Sequence, residues 1–288
     1  MKTKYVFAAV VLCGALAVSS FASAEKVRVV AHVNPSGKSV VIPERAIEVA
    51  PHVFSLGETM DAQSGKMVEG YLIVHKKDEK EKPANPGTAK DKTQDPLDSC
   101  YSFIVKGAKW RSVEPWVVNP TNPFGISDES VFSILDSGIS NWEDAMDGRV
   151  DGIQGGDAIG TGSMTHDVLI ADTASTDGLN EVYFGNLDEG TIGVTIVWGY
   201  FSVSPKSREI VEWDQVYNTF YDWSDNGDAM AMDFENIATH ELGHSFGMGD
   251  LYDTVCRDVT MYGYGTEGET KKSTLERGDI NGIKALYQ

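Results

Sequence analysis

Residues 240–250 have the residue types and the spacing of a catalytic metal-binding motif. They read His-Glu-Leu-Gly-His-Ser-Phe-Gly-Met-Gly-Asp. His240 and His244 are one helical turn apart, so on a helix both imidazoles project from one face and can hold one metal ion. Glu241 lies beside them, where a carboxylate can take the proton of a metal-bound water. The motif therefore predicts a hydrolytic metal centre with Glu241 as the catalytic base.

The residues after the two histidines complete the predicted ligand set. Gly247 provides a backbone position that is free to adopt positive φ, so it can end the helix. The chain can then turn back and bring Asp250 to the same ion as a third ligand. Two nitrogens and one carboxylate oxygen, with a fourth position left for water, are typical of a catalytic zinc site. The alternative is an ordinary buried helix whose histidines satisfy hydrogen bonds in the core.

The segments around the motif predict the elements that position it. An active-site helix is predicted over residues 233–246, and a C-terminal helix near residues 275–287. A long amphipathic helix is predicted to begin after Ser127, a residue type that favours the N-cap position. Its predicted core residues recur at helical spacing and are Val131, Ile134, Leu135, Ile139 and Trp142. Residues 191–201 and 208–217 are rich in β-branched and aromatic residues, which predicts two strands.

The strand predicted at residues 208–217 alternates along its length. Its side chains Ile210, Glu212, Asp214 and Val216 are expected to share one side. Because this strand directly precedes the active-site helix, it could be an exposed edge of the sheet. An exposed edge presents unpaired N–H and C=O groups, to which an extended peptide can pair. We therefore expect the partner to be a polypeptide substrate bound in extended form across the metal.

Three segments precede the region that carries the motif. Residues 1–24 predict a signal peptide, because two lysines and a short apolar run precede a small-residue cleavage site. Residues 25–75 are β-rich and predict either a cleaved propeptide or a permanent accessory region. Residues 76–96 are charged and contain proline, which predicts a linker. Residues 97–288 are predicted to form the main domain, with mixed α/β structure.

The charge distribution separates the N-terminal region from the main domain. The chain of 288 residues has a formal net charge of −19. Residues 25–96 carry 11 basic and 11 acidic residues, whereas residues 97–288 carry 11 basic and 32 acidic ones. A domain this acidic repels nucleic acid, and no segment after residue 24 is long and apolar enough for stable membrane insertion. The acidity indicates either solubility or calcium binding, for which the carboxylates from Asp147 to Asp177 are candidates.

Two cysteines, Cys100 and Cys256, remain once the signal peptide is removed. In an oxidising compartment an even pair favours a disulfide. It would join the start of the acidic domain to the loop that follows Asp250. The alternative is a latency switch, in which the Cys100 thiolate takes the fourth zinc position. The disulfide is favoured because the switch would leave Cys256 free.

Several segments of the chain resemble the metzincin zinc metalloproteases, and among them the matrixin branch. Residues 240–250 resemble the metzincin zinc motif. Thr260-Met261-Tyr262 resembles the Met-turn, whose methionine lies beneath the zinc ligands, and residues 275–287 are similar to the matrixin C-terminal helix. Asp250 stands where most metzincins have histidine, and in this the chain resembles the snapalysin group. The Arg-Cys-Gly latency signature of matrixins is absent around Cys100.

The resemblance implies a fold, an activity and a set of site residues. It implies a secreted zinc endopeptidase with a twisted, mixed five-stranded sheet, three helices and a substrate cleft along the edge strand. The site residues that it implies are the metal ligands His240, His244 and Asp250, the general base Glu241 and the turn methionine Met261.

Two other functions stay open for this sequence. A gluzincin-type hydrolase would use a downstream glutamate as its third ligand, for which Glu267, Glu269 and Glu276 are available. A non-catalytic surface or adhesion module would keep zinc for stability alone. The intact Glu241 argues against such a module, because a purely structural site has no use for a base beside its ligands.

Overall fold

A mixed β-sheet and three α-helices form the part of the chain that the structure describes. In this computed structural model the described residues are 37–77, 96–147 and 157–288. The predicted signal peptide and most of the predicted linker lie outside them. The helices are α1 (Asp128–Asp147), α2 (Phe234–Ser245) and α3 (Arg277–Tyr287). None of the described helices has the length and apolar character that crossing a membrane requires.

The strands are between two and eleven residues long. In chain order they are β1 (Ile47–Ala50), β2 (Val53–Met60), β3 (Met67–Lys77), β4 (Ser102–Phe103), β5 (Glu114–Asn119), β6 (Ile159–Met164), β7 (Glu181–Gly185), β8 (Thr191–Tyr200), β9 (Glu209–Asn218), β10 (Trp223–Ser224), β11 (Met232–Asp233), β12 (Met248–Gly249) and β13 (Tyr264–Gly265). Short 3-10 helices lie at Pro96–Ser99, Pro205–Ser207, Thr254–Cys256 and Lys271–Ser273.

Nine of these strands form one sheet in the order β1-β2-β3-β8-β9-β7-β5-β6, with β13 paired to β3. Strands β5, β6, β7 and β9 run parallel, whereas β8 is antiparallel to both β9 and β3. The predicted α/β class, with a mixed sheet and three helices, is confirmed. The sheet is wider than the five strands that the resemblance implies, because β1, β2, β3 and β13 join it.

The prediction of an exposed edge strand before the active-site helix is wrong. Strand β9 lies inside the sheet between β8 and β7, and β8 in turn pairs with β3 on its other side. Nine of the ten residues of β8 are buried, as expected for a strand covered on both faces and along both edges. The N-terminal strand β3 therefore covers the edge of β8 that faces away from β9.

The predicted alternation of β9 also fails at one end. The register between β8 and β9 shifts where Trp198 faces Glu212 and Gly199 faces Ile210, which leaves Val211 without a register partner. Such a bulge exchanges the sides of the residues that precede it. Ile210 accordingly lies in the helix-side core, whereas Val216 lies in the core on the opposite face.

Two hydrophobic cores cover the two faces of the sheet. The core beneath the helices contains four residues of α1 at the predicted helical spacing: Val131, Leu135, Ile139 and Trp142. The core on the opposite face contains Leu72 and Val74 of β3. Ile73 lies between them in the chain and belongs to the helix-side core, because successive side chains of a strand point to opposite faces. Strand β3 is therefore part of both cores.

Side chains cap the N-termini of α1 and α2, and the cap of α1 is the predicted Ser127. Ser127 accepts a hydrogen bond from the backbone N–H of Ser130 at 3.1 Å, which caps α1. Asp233 caps α2 by accepting from the backbone N–H of Asn236 at 2.9 Å. After α2 ends, Gly247 has a φ of +98°, a conformation that residues with a Cβ rarely adopt. The turn that redirects the chain toward Asp250 therefore depends on this glycine.

A disulfide joins Cys100 to Cys256, with the two Cα atoms 5.5 Å apart. Both cysteines are buried in a small cluster with Val259. The bond connects the segment before β4 to the loop after Asp250, as the sequence favours. Because the Cys100 sulfur is bonded to Cys256, it does not act as a metal-blocking thiolate in this structure.

Candidate metal centre

Three buried polar atoms converge after helix α2. Oδ1 of Asp250 lies 3.2 Å from Nε2 of His240 and 3.5 Å from Nε2 of His244. The two imidazoles are fully buried and the Asp250 side chain is 2% exposed. None of the three atoms has a hydrogen-bond partner within the described residues. Since buried polar atoms are normally paired, three unpaired ones aimed at a common point fit a divalent metal ion.

Backbone carbonyl groups fix both histidine rings in the orientation that a metal needs. His240 Nδ1 donates to the carbonyl of Thr260 at 2.7 Å, and His244 Nδ1 donates to that of Met248 at 2.9 Å. With the proton on Nδ1, each Nε2 keeps its lone pair for a metal. Burial, reinforced by the nearby His75 and Lys272, lowers the pKa of His240 to about 3, which keeps this ring neutral.

Asp250 is held by the turn that follows α2 and by two hydroxyl groups. The short strand β12 pairs with β4, which fixes the backbone before Asp250. Ser102 Oγ donates to the Asp250 carbonyl at 3.0 Å, and the Tyr252 hydroxyl donates to Oδ2 at 3.0 Å. Burial raises the pKa of Asp250, but His244 and His240 outweigh this effect and hold it below its usual range. The carboxylate is thus ionised and leaves Oδ1 free for a ligand.

Met261 lies directly beneath the histidine-bearing helix. It is fully buried, and a methyl group at Gly243 of α2 would collide with the Met261 sulfur and with Trp142. Asp279 of α3 fixes this turn by accepting from the backbone N–H groups of Thr260 at 2.9 Å and of Met261 at 3.1 Å. The same turn provides the carbonyl that orients His240. Asp279 is therefore a supporting residue that the motif alone does not reveal.

Glu241 is fully buried, and both of its carboxylate oxygens are engaged. Thr195 Oγ1 of β8 donates to Oε2 at 2.6 Å, and His75 Nδ1 of β3 lies 3.0 Å from Oε1. Burial raises the pKa of Glu241, so its carboxyl group binds a proton more readily than an exposed glutamate would. The carboxylate predicted to act as a base is thus held by one side chain from each strand of the β3–β8 pair.

His75 is a site residue that the sequence does not reveal. Its ring centroid lies 3.9 Å from that of His240, and its Nε2 lies 3.3 Å from Nζ of the fully buried Lys272. Burial, followed by the charge of Lys272, lowers the pKa of His75 well below its ordinary value. A neutral ring with its proton on Nδ1 satisfies both contacts, because it donates to Glu241 and accepts from Lys272.

The glutamates proposed for a gluzincin-type site lie in other interactions. Glu267 pairs with Lys77, and Glu269 lies 3.3 Å from Lys271 Nζ. Glu276 caps the N-terminus of α3. Among the described residues, the carboxylate that completes a metal-binding group with His240 and His244 belongs to Asp250. The arrangement therefore favours Asp250 over a downstream glutamate as the third ligand.

A second polar cluster lies on the opposite face of the sheet. Asp172, Asp177 and Glu212 each place a carboxylate oxygen within 4.8 Å of the others. Glu212 is 1% exposed, and its Oε1 has no hydrogen-bond partner within the described residues. Burial raises the pKa of Glu212 to about 9, and repulsion from Asp172 and Asp177 adds to the effect. The calcium candidates predicted from the sequence thus include two members of this cluster, whereas Glu212 comes from β9.

Comparison with known proteins agrees with this geometry. Residues 200–288, which contain the motif and Met261, match the family model described as matrixin. In these residues the chain is similar to the matrixins. Over 65 residues it is 40% identical to human (Homo sapiens) matrilysin, a match that covers 23% of each protein. Over 123 residues it is 27% identical to the metalloendoproteinase 4-MMP of Arabidopsis thaliana, covering 43% of this chain and 33% of the relative. The chain therefore aligns with a third or less of the length of either relative.

Proposed function

We propose that this chain is a zinc-dependent endopeptidase in which His240, His244 and Asp250 bind the metal. The observation that carries the proposal is the convergence of three buried, unpaired ligand atoms beside a buried glutamate. The matrixin match and the names of the two relatives, matrilysin and a metalloendoproteinase, support peptidase chemistry.

The residues around the metal define the proposed chemistry. Zinc held by these residues would supply a water of near-neutral pKa and would polarise the carbonyl of the scissile bond. Glu241 would accept a proton from the attacking water and deliver it to the leaving amine. Thr195 orients the Glu241 carboxylate through a hydrogen bond of 2.6 Å to Oε2. His240, His244 and Asp250 would hold the metal, and Met261 packs beneath the helix that carries the two histidines.

The test is metal content together with proteolysis. Purified protein is expected to contain one zinc per chain and to cleave casein on prolonged incubation. Glu241→Gln should keep the zinc and lose cleavage by about 10²–10⁴-fold. Glu235→Gln is the matched control, because Glu235 lies on the same helix but is exposed. Protein that binds no zinc, or cleavage that survives Glu241→Gln, would contradict the proposal.

A non-catalytic, zinc-stabilised module is the second candidate. It is favoured by one observation: the metal-binding atoms are inaccessible to solvent, and His75 covers the base. A structural site of this kind predicts that zinc raises the melting temperature but that no variant of the chain cleaves a peptide. Cleavage by any zinc-loaded variant, lost on Glu241→Gln, would exclude it.

Secretion and processing belong to the same proposal. Residues 1–24 have the pattern of a signal peptide, and a disulfide is typical of an oxidising compartment. We assign the catalytic domain to residues 97–288, with residues 25–75 as a propeptide or accessory region and residues 76–96 as the linker. N-terminal sequencing of the secreted, active protein distinguishes a propeptide from a permanent accessory region. A start at Glu25 would contradict a cleaved propeptide.

Calcium is proposed as a structural cofactor at the carboxylate cluster of Asp172, Asp177 and Glu212. Oxygen-rich groups of this kind suit Ca²⁺, and the unpaired Glu212 Oε1 is buried among them. A bound cation would remove the repulsion between these carboxylates. Calcium should therefore raise the melting temperature of the wild type but not that of Glu212→Gln. An equal rise in both would contradict this assignment.

A further inference from the structure

Strand β3 pairs with β8 and carries His75, which contacts the proposed base. Residues Glu69 to Lys76 pair antiparallel with β8, from Gly199 to Thr191. On the opposite edge of β3, Lys76 and Lys77 pair in parallel with Tyr264 and Gly265 of β13. The end of β3 is thus an extended segment seated between two strands, beside the metal centre.

The side chains at this end hold the segment in place. Lys76 Nζ donates to Thr191 Oγ1 of β8 at 3.1 Å, and Lys77 forms an ion pair with Glu267, close to β13. Lys272 Nζ donates to the carbonyl groups of Tyr262 and Tyr264, each at 2.6 Å, and also faces His75. The segment is therefore attached to both walls of the groove.

His75 brings the segment into contact with the proposed base and with one proposed metal ligand. It is fully buried, its Nδ1 lies 3.0 Å from Glu241 Oε1, and its ring packs against His240. A scissile carbonyl would need to come within about 3 Å of both the metal position and the base. His75 instead contacts both the base and one of the histidines, and the candidate ligand atoms are buried.

We propose that residues 69–77 are an intramolecular occupant of the substrate groove, which keeps the enzyme latent until this segment leaves β8. The inference rests on the proposed peptidase function and adds the regulation of its site. The block uses backbone pairing and His75, and no cysteine, because Cys100 is held in its disulfide. An extended polypeptide that runs antiparallel to β8 is the class of substrate that would replace the segment.

The packing of β3 explains why the block is stable. Leu72 and Val74 are buried in the core on one face, and Ile73 is buried in the helix-side core. Burying such side chains is strongly favourable, so the open form is a small fraction of the wild-type population. The apparent affinity of any ligand that needs the open form is reduced by that fraction.

The test weakens the packing of β3 without replacing any residue of the proposed metal site. Ile73→Asp places a charge at a fully buried position of β3, and the matched control Met67→Asp places it at a position of the same strand that is 53% exposed. Both variants retain residues 25–288 and are loaded with zinc. We measure peptide cleavage and, separately, binding of a fluorescent dipeptide hydroxamate that binds zinc directly.

Ile73→Asp is expected to raise the rates of cleavage and of hydroxamate binding by roughly tenfold or more. Met67→Asp is expected to leave both rates unchanged. A zinc-loaded, folded Ile73→Asp that binds hydroxamate no faster than wild type would overturn the block. Faster hydroxamate binding without any cleavage would retain the block and refute the peptidase. Equal cleavage by all three proteins would retain the peptidase and refute the block.

A reversible tether gives a second arm in case Ile73→Asp does not fold. Val74 and Val194 are register partners on β3 and β8 and lie in the core on the face away from the helices, so they can be replaced by a cysteine pair. Oxidised Val74→Cys/Val194→Cys should bind hydroxamate about tenfold more slowly than its reduced form. Wild type under the same reductant controls for the native disulfide. Identical binding rates in the oxidised and reduced forms would overturn the proposal.

Discussion

The two neighbours of β8 reach it in different ways. Strand β9 follows β8 after a short connection, leads toward α2, and lies within the residues that match the matrixin family. Strand β3 comes from outside that match, yet it pairs with β8 over a similar length and is buried in both cores. On the β9 side a short motif defines the proposed metal centre. On the β3 side, in our proposal, long-range strand pairing determines which ligands can reach that centre.

The largest effect should come from breaking the local side. His244→Ala removes one of three converging ligand atoms and should weaken zinc binding by roughly 100-fold or more, with loss of activity. Competition with a chelator of known affinity measures this loss. His166→Ala is the control, because that side chain is 68% exposed and contacts Asp128 instead. Unchanged zinc affinity in His244→Ala would show that His244 is not a metal ligand.

The disulfide is expected to have the next largest effect. It closes a loop between residues 156 positions apart and anchors the segment after Asp250. Replacing Cys100 and Cys256 by serine should lower the free energy of unfolding by about 2–5 kcal/mol. Urea unfolding of the zinc-loaded protein measures this change. A smaller loss than about 1 kcal/mol would show that the metal and the cores hold this loop without the bond.

A smaller effect is expected at the carboxylate cluster on the other face of β9. Burial raises the pKa of Glu212 to about 9, that of Glu181 to about 7 and that of Asp172 to about 6. Because the folded form holds these protons more tightly, their stabilising contribution is complete below about pH 4.5 and is lost as the pH rises toward 9.

The measurement is the melting temperature of calcium-free, zinc-loaded protein between pH 5 and pH 9. Glu212→Gln should reduce the fall seen in the wild type by about 5 °C. Added calcium should do the same in the wild type. Glu58→Gln, which changes an exposed residue of β2, is the control. Parallel curves for the wild type and Glu212→Gln would contradict the predicted titration.

The contrast between the two sides of β8 also explains what the sequence could predict. Helix α2, its turn at Gly247 and the convergence on Asp250 follow from short-range spacing, and so do the core residues of α1. The contact between His75 and Glu241 joins residues 166 positions apart, and no local pattern indicates it. A β-rich segment predicts a strand but not the strand with which it pairs, because the register and the neighbouring strand are set by tertiary packing.

Other site residues were hidden for related reasons. Glu212 belongs to a strand pattern, and only the fold places it beside Asp172 and Asp177. Lys272 is fully buried, although lysine is among the residue types that are almost never found so, and nothing in its neighbourhood in the sequence suggests this. Asp279 was visible as part of the C-terminal helix, but its bonds to the Met261 turn depend on how α3 packs.

The most direct test of the account compares two variants in which β3 has been loosened. Casein cleavage is measured for zinc-loaded Ile73→Asp and for Ile73→Asp combined with Glu241→Gln, with zinc counted in both. The account predicts that the first cleaves faster than wild type and that the second is slower than the first by about 10²–10⁴-fold at equal zinc content. Equal rates in the two variants, or no cleavage by a folded Ile73→Asp that binds hydroxamate, would contradict it.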